Sequence, residues 1–237
     1  MIDFHTHILP GIDDGATDVM MSAEMLKMEF SQGVTTVVAT PHYSFDRISV
    51  DEFLTRRKDS YNNIIKHINE NSIDSPKIIL GAEVKLSPHI SKREGLEKLC
   101  IGDTNVILVE MPYSSWDEGW VFDEIFAILV SRKLVPVIAH IDRYIDKKKD
   151  YEKLKKLFRM NLNLQVDLDR YPERHSKKVI DRLIKENRVQ IVASDCHDVL
   201  SRAPMLKEKL ELIRKKHGVK TINYFIENAF NLISTQK

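Results

Sequence analysis

Two histidines separated by one residue, His5 and His7, are the first side chains of this sequence that could do chemistry. Alternate residues of a strand point to the same side, so both imidazoles can reach one metal ion. Similar residues recur along the chain: His42 in Thr40-Pro41-His42, Glu83 after Gly81-Ala82, Glu110, His140, and Asp195 with His197 in Ser194-Asp195-Cys196-His197. Asp13 and Asp14 stand nearby in the first loop. Imidazole nitrogen and carboxylate oxygen are donors for zinc, manganese, iron or cobalt, and so many exceed the needs of one tetrahedral ion. The number points to a cluster of two or three ions sharing bridging carboxylates.

Two arginines follow these donors closely: Arg143 shortly after His140, and Arg202 shortly after His197. A loop arginine is ordinarily just solvated. Beside a cationic cluster it makes chemical sense when an anion lies between them. A phosphoryl group fits, because the guanidinium fork matches its oxygens two at a time. The combination implies hydrolysis of a phosphate ester.

The elements that must position these residues follow from the apolar pattern. Continuous, largely β-branched runs at 2–4, 34–39, 77–80, 106–109, 134–139, 162–166 and 189–193 predict strands buried on both faces, with a candidate eighth at 220–222. Amphipathic segments lie between them. Val19, Ala23, Leu26 and Phe30 form one helical stripe, with Thr17 or Asp18 as N-cap and Gly33 past its end. Leu54, Tyr61, Ile65 and Ile68 form a second, and further helices are expected at 123–131, 151–160, 176–186, 205–216 and 224–233. Strand and helix in alternation predict a parallel sheet. A closed barrel is the economical form, and an open doubly wound sheet the alternative. All but one of the seven runs are followed by a His, Asp or Glu, and in a parallel barrel those ends converge on one rim. The four other histidines, His67, His89, His175 and His217, read as surface residues.

At 237 residues, with no linker or internal repeat, the chain is expected to be one domain over 1–237. Its 43% hydrophobic residues suffice for one core, and 36 basic against 35 acidic residues argue against a nucleic-acid binder. No apolar run reaches the roughly 20 residues of a membrane span. Without a visible signal peptide, and with only Cys100 and Cys196, the cytoplasm is the expected compartment.

Cys196-His-Asp-Val-Leu-Ser-Arg202 also satisfies C-x5-R, the pattern of cysteine-dependent tyrosine phosphatases. That chemistry needs a low-pKa thiolate in a phosphate-cradling loop. Here the loop has no glycine, Asp198 would repel phosphate and Pro204 follows the arginine, so Cys196 reads as a rim or core residue. Tyr43, Tyr113 and Trp116 are candidate aromatic walls for a phosphotyrosine ring.

The motifs taken together, Met1-Ile-Asp-Phe-His-Thr-His-Ile-Leu-Pro-Gly-Ile-Asp-Asp-Gly, Thr40-Pro41-His42, Gly81-Ala82-Glu83, Glu110-Met-Pro, Ala139-His140-Ile-Asp-Arg143-Tyr and Ser194-Asp195-Cys-His197, resemble the polymerase-and-histidinol-phosphatase (PHP) superfamily. Within it they are most similar to the bacterial metal-dependent tyrosine-protein phosphatases of capsule and exopolysaccharide synthesis. The resemblance covers residues 1 to about 205. It implies a distorted (β/α)7 barrel holding three divalent ions, manganese or iron in many members. By motif, His5, His7, Glu83 and Asp195 would hold one ion, Glu83, Glu110 and His140 a second, and Asp14, His42 and His197 a third. Asp13 and Asp14 are separated only by the alignment of the motif. Arg143 and Arg202 match the family's phosphate-binding arginines. The implied activity is hydrolysis of phosphotyrosine by metal-activated hydroxide, the implied partner a bacterial tyrosine kinase that drives polysaccharide export. A small phosphomonoester such as histidinol phosphate is the alternative substrate. A non-catalytic phosphotyrosine-binding scaffold would be signalled by lost donors, and no matched position is missing.

Overall fold

The computed structural model describes residues 1–171 and 173–234. All seven expected strands are present, and two are broken midway. They are β1 (Ile2–Thr6), β2 (Thr36–Ala39) continued by β3 (His42–Tyr43), β4 (Lys77–Leu80) continued by β5 (Glu83–Lys85), β6 (Val106–Glu110), β7 (Val135–Ile138), β8 (Asn163–Asp167) and β9 (Ile191–Ala193). Every pairing is parallel, in the orders β1-β2-β4 and β3-β5-β6-β7-β8-β9. The breaks fall at Thr40-Pro41 and Gly81-Ala82, where proline cannot donate to the ladder and glycine marks a bend. The last strand returns to the first. The Asp195 amide donates to the His5 carbonyl and the His7 amide to the Cys196 carbonyl, each at 3.0 Å. The sheet is therefore a closed, distorted (β/α)7 barrel, not an open doubly wound one.

Inside the barrel Phe4, Val38, Val106, Leu108, Val137, Ile191 and Ala193 form a compact apolar plug. Burying each larger side chain contributes about 1.5–3 kcal/mol. A second apolar layer lies between the strands and the surrounding helices: α1 (Val19–Ser31), α2 (Val50–Glu70), α3 (Gly119–Val130), α4 (Lys148–Phe158), α5 (Arg174–Lys185), α6 (Leu206–His217) and α7 (Val219–Ser234). Helix α7 packs against β1 and β9, and its Ala229, Leu232 and Ile233 join the interior plug. The segment 220–222, a candidate eighth strand, is the first turn of this helix. Ile222, Phe225 and Ala229 fall on one helical face, and that burial overrides a short β-branched run.

Two helix faces differ from expectation in a way that matters for the site. In α1, capped by the Asp18 carboxylate on the Met21 amide (2.9 Å), Phe30 is exposed and Glu29 is buried, close to Cys196. In α2 the buried stripe is Phe53, Arg57, Ser60, Ile64 and Ile68, one position off from Leu54, Tyr61 and Ile65, which are half-buried. The two polar members brace the rim. Arg57 donates to the Gly81 carbonyl (2.5 Å) at the break before Glu83, and Ser60 donates to the Pro10 carbonyl (2.7 Å) in the loop carrying Asp13 and Asp14. Burial lowers the Arg57 pKa to about 10.

The loop has no room to spare. A Cβ added at Gly15 would lie 2.1 Å from the His7 carbonyl oxygen, whereas one at Gly119 meets nothing within 4 Å. Gly15→Ala should therefore lower the unfolding free energy by about 1–3 kcal/mol. Gly119→Ala, in the first turn of α3, should change it by less than about 1 kcal/mol. Denaturant titration of the two variants checks the contrast, and equal effects would contradict the packing described.

Candidate metal centre

The strand ends converge as the sequence implies, helped by an irregularity in β1. Its register with β2 shifts between Asp3 and Thr6. In a regular strand Phe4 and His5 would face opposite ways. Here Phe4 enters the interior plug while the His5 ring meets the Glu83 carboxylate, so the irregularity turns both inward.

Glu83 is the centre of the cluster. Its Oε2 lies 3.2 Å from His5 Nε2, 3.3 Å from His7 Nε2 and 2.9 Å from His42 Nδ1, and its Oε1 lies 2.9 Å from His140 Nε2. Glu110 approaches the same His140 nitrogen at 3.5 Å. Asp195 divides its oxygens: Oδ1 faces His5 (3.5 Å) and His7 (3.3 Å), while Oδ2 accepts from both Arg143 and Arg202. At the mouth Asp14 Oδ1 stands 3.4 Å from His42 Nε2 and 3.5 Å from His197 Nε2. Thus all nine candidate donors and both arginines fall in one place. Asp13 has another part. Its carboxylate bonds His7 Nδ1 (2.7 Å) and accepts from the Gly15 and His42 amides, fixing the His7 ring from behind.

Among the described residues, three groups have donor atoms within 4.8 Å of one another: His7, Asp14, His42 and His197; His5, His7 and Glu83; His42, Glu83 and Glu110. These overlap the sets implied by the resemblance, with His7 and His42 each shared more widely. The donor set fits divalent ions on its own chemistry. Glu83 Oε2, Asp195 Oδ1 and His197 Nε2 are buried, and the atoms that face them at 2.9–3.6 Å make no hydrogen bond of good geometry, a state that costs energy unless something else meets their lone pairs.

The charges are strongly interdependent. Burial pushes the Glu83 and Asp195 carboxyls up, but the His5 charge, joined by the other imidazoles, outweighs it and holds both well below the usual carboxylate range. Burial likewise opposes protonation of His140, yet the Glu83 hydrogen bond and the Asp167 and Glu83 charges lift it to about 9. His197 is pushed down to about 4 by burial and then by His7, so its ring stays neutral and available as a donor. His140 and Asp195 both adopt left-handed backbone, with φ of 33° and 52°. Such strain in non-glycine residues persists when neighbours enforce it. The Gln165 side-chain oxygen Oε1, accepting from the His140 amide at 2.7 Å, is one such neighbour.

Several participants escape the strand-end reading. Asp167 ends β8, the one strand without a predicted donor, and binds Arg143 at 2.7 Å. Gln165 donates to it (2.5 Å), so β8 supplies the support for His140 and Arg143. The strand-end rule, applied to β8, would have found Asp167. Buried Asp3 and Glu29 lie behind β9, where Asp3 accepts from the Ser194 amide (3.0 Å), and nothing in the sequence marks Glu29. Of the proposed aromatic walls, Trp116 (8% exposed) belongs to the core, Tyr43 (2%) is largely buried yet still borders the cleft, and Tyr113 (73%) stands open to it. Of the four histidines read as surface residues, His67 and His217 are half-buried, and His217 pairs with Asp181 at 2.7 Å.

The profile of the capsular polysaccharide synthesis family CpsB/CapC matches residues 1–234. The chain belongs to this family. Among CpsB/CapC relatives, tyrosine-protein phosphatase YwqE of Bacillus subtilis (strain 168) is 30% identical, covering 100% of this chain and 92% of the relative. Tyrosine-protein phosphatase CpsB of Streptococcus agalactiae serotype III (strain NEM316) is 27% identical over 98% of both chains. A solved structure from work on YwqE of Bacillus subtilis and CpsB of Streptococcus pneumoniae, described as metal-dependent tyrosine phosphatases, superimposes with a TM-score of 0.85 at 26% identity, covering 100% of this chain and 96% of the other. The phosphotriesterase homology protein of Escherichia coli shares the fold alone, with a TM-score of 0.57 at 11% identity and 98% coverage of both.

For this CpsB/CapC member the C-x5-R reading fails on environment. Cys196 is fully buried, and burial together with the Glu29 and Asp3 charges drives its thiol well above the ordinary range. Cys196→Ala should therefore retain turnover of a phosphotyrosyl substrate to within about tenfold, where loss of a covalent nucleophile costs on the order of 10⁴-fold or more. Steady-state kinetics of the variant decides between them.

Proposed function

We propose that this chain is a metal-dependent protein-tyrosine phosphatase acting in capsular polysaccharide synthesis, with a bacterial tyrosine kinase as the phosphoprotein it dephosphorylates and manganese as its metal. The observation that carries the reading is the intact cluster, His5, His7, Asp14, His42, Glu83, Glu110, His140, Asp195 and His197 at one barrel mouth with Arg143 and Arg202 beside it, in a chain matching tyrosine phosphatases along its length. Cys100 and Cys196 form no disulfide among the described residues, which suits the reducing cytoplasm, the compartment we assign to it.

Divalent ions held by these donors would lower the pKa of water and neutralise anionic phosphoryl oxygens. The protein's own part is placement. Asp13 holds the His7 ring, Gln165 the His140 backbone, and Asp167 the Arg143 guanidinium. Arg143 and Arg202 share one oxygen of Asp195, whose other oxygen faces the histidines. That carboxylate sets the spacing between the donors and two cations that receive the phosphoryl group. A tyrosyl leaving group, with a pKa near 10, needs less protonic assistance than an alkyl alcohol.

Chelator-stripped protein should release no phosphate from a phosphotyrosyl peptide, and manganese should restore release. Histidinol phosphate should be the poorer substrate by kcat/KM. Activity in stripped protein, or a preference for the small ester, would overturn the metal dependence or the substrate respectively. Arg202→Ala in manganese-loaded protein should lower kcat/KM by about 10²–10³-fold, the usual scale for one lost donor to an oxyanion.

A further inference from the structure

The cleft that opens from the candidate metal centre is also lined by cations. It encloses about 740 Å³, and its lining includes Arg47, Arg56 and Lys85 as well as Asp14, His42, Glu52 and Glu110. Lys85 stands two residues after Glu83 on β5, so its side chain leaves the strand on the same side as the central carboxylate. Across the ladder it is in register with Glu110. Arg47 reaches the cleft from the loop between β3 and α2, and also lines an adjoining groove with Lys92 and Arg93.

Not all of these cations are equally free. Arg56 is paired with Glu52 one helical turn away (2.5 Å), and Lys98 of the adjoining groove with Asp51 (3.0 Å). Lys85 and Arg47 are both exposed, and neither makes a salt bridge among the described residues. The exposed Tyr113, after β6, faces the same cleft. Neither cation has a part in holding the donors or the phosphoryl arginines: Arg143 and Arg202 sit on Asp195, away from this cleft's lining.

We propose that Lys85 and Arg47 form a specificity subsite for a carboxylate side chain next to the phosphotyrosine, so that the enzyme prefers peptides with Glu or Asp within about three residues of it. The inference rests on the phosphatase reading and names the class of sequence which that site selects. Charge complementarity singles out the occupant. Unpaired ammonium and guanidinium groups beside a centre that takes a dianionic phosphate complement an acidic segment, and they disfavour a basic one. An extended segment rises about 3.3 Å per residue, so a cleft of this size spans a phosphotyrosine and a few neighbours.

The test compares manganese-loaded protein on monophosphorylated peptides with Glu or Gln at each position from three before to three after the tyrosine. p-Nitrophenyl phosphate, which has no flanking residues, serves as the reference. At low salt the best Glu peptide should exceed its Gln counterpart by about fivefold in kcat/KM, mainly through KM, as expected for two partly exposed ion pairs. The preference should shrink at 0.5 M salt. It should vanish in the Lys85→Gln, Arg47→Gln double variant and return with Lys85→Arg alone. Equal use of Glu and Gln peptides by wild-type protein that cleaves p-nitrophenyl phosphate would overturn the subsite while leaving the phosphatase reading intact. A preference surviving in the double variant would overturn the assignment to these residues. Protein that cleaves neither ester nor peptide would overturn both.

Discussion

One buried carboxylate organises this protein. Glu83 lies at the heart of the barrel mouth, with His5, His7, His42 and His140 all within 3.3 Å of its two oxygens. A carboxylate stripped of water is costly unless charge or hydrogen bonds return what solvation supplied. Four imidazoles, two from the end of β1 and one each from β3 and the end of β7, do so, and Asp13 behind the His7 ring and Gln165 at the His140 backbone hold two of them in turn. The arrangement is cooperative in the electrostatic sense. Removing the carboxylate leaves the rings facing one another, and removing a ring leaves the carboxylate short of compensation.

The fold is the apparatus that delivers those groups. The apolar plug and the lining of α7 fill the lower barrel, and the candidate donors gather at the strand ends above it. Helix α2 contributes no candidate donor, yet Arg57 and Ser60 pin the two backbone segments that bring up Glu83 and the Asp13-Asp14 loop. Strand β8 has a similar supporting part through Gln165 and Asp167. Much of what positions the site therefore comes from polar residues buried on elements that do not carry it.

That division explains what was legible in the sequence. The strands were legible because most are buried on both faces and read as short, mainly apolar runs between polar segments. The candidate donors were legible because strand ends in a parallel barrel must meet. Arg57, Ser60 and Glu29 were not, since a polar residue on a helix is ordinarily solvated and its burial depends on a tertiary partner far away in sequence. The α2 stripe read one position off for the same reason: its buried face includes an arginine and a serine that periodicity counts as polar. Trp116 read as a substrate wall but packs in the core, because aromatic residues near a site serve the core as readily as the cleft. The placing of Asp13 behind His7, with Asp14 at the mouth, needed coordinates, since neighbouring identical residues carry no distinguishing pattern.

The closure between β1 and β9 has a consequence for how the molecule is made. His5 and His7 lie at the end of β1, but the segment that locks them, through the Asp195 amide and the Cys196 carbonyl, follows nearly two hundred residues later. Contacts of such sequence separation form late and slowly, because a long loop must be closed before they reward the chain. Until β9 docks, the early histidines have Glu83 without Asp195, and neither arginine has its shared carboxylate. During synthesis the reactive centre is thus among the last features assembled, so a partly made or partly unfolded chain is a poor catalyst by construction.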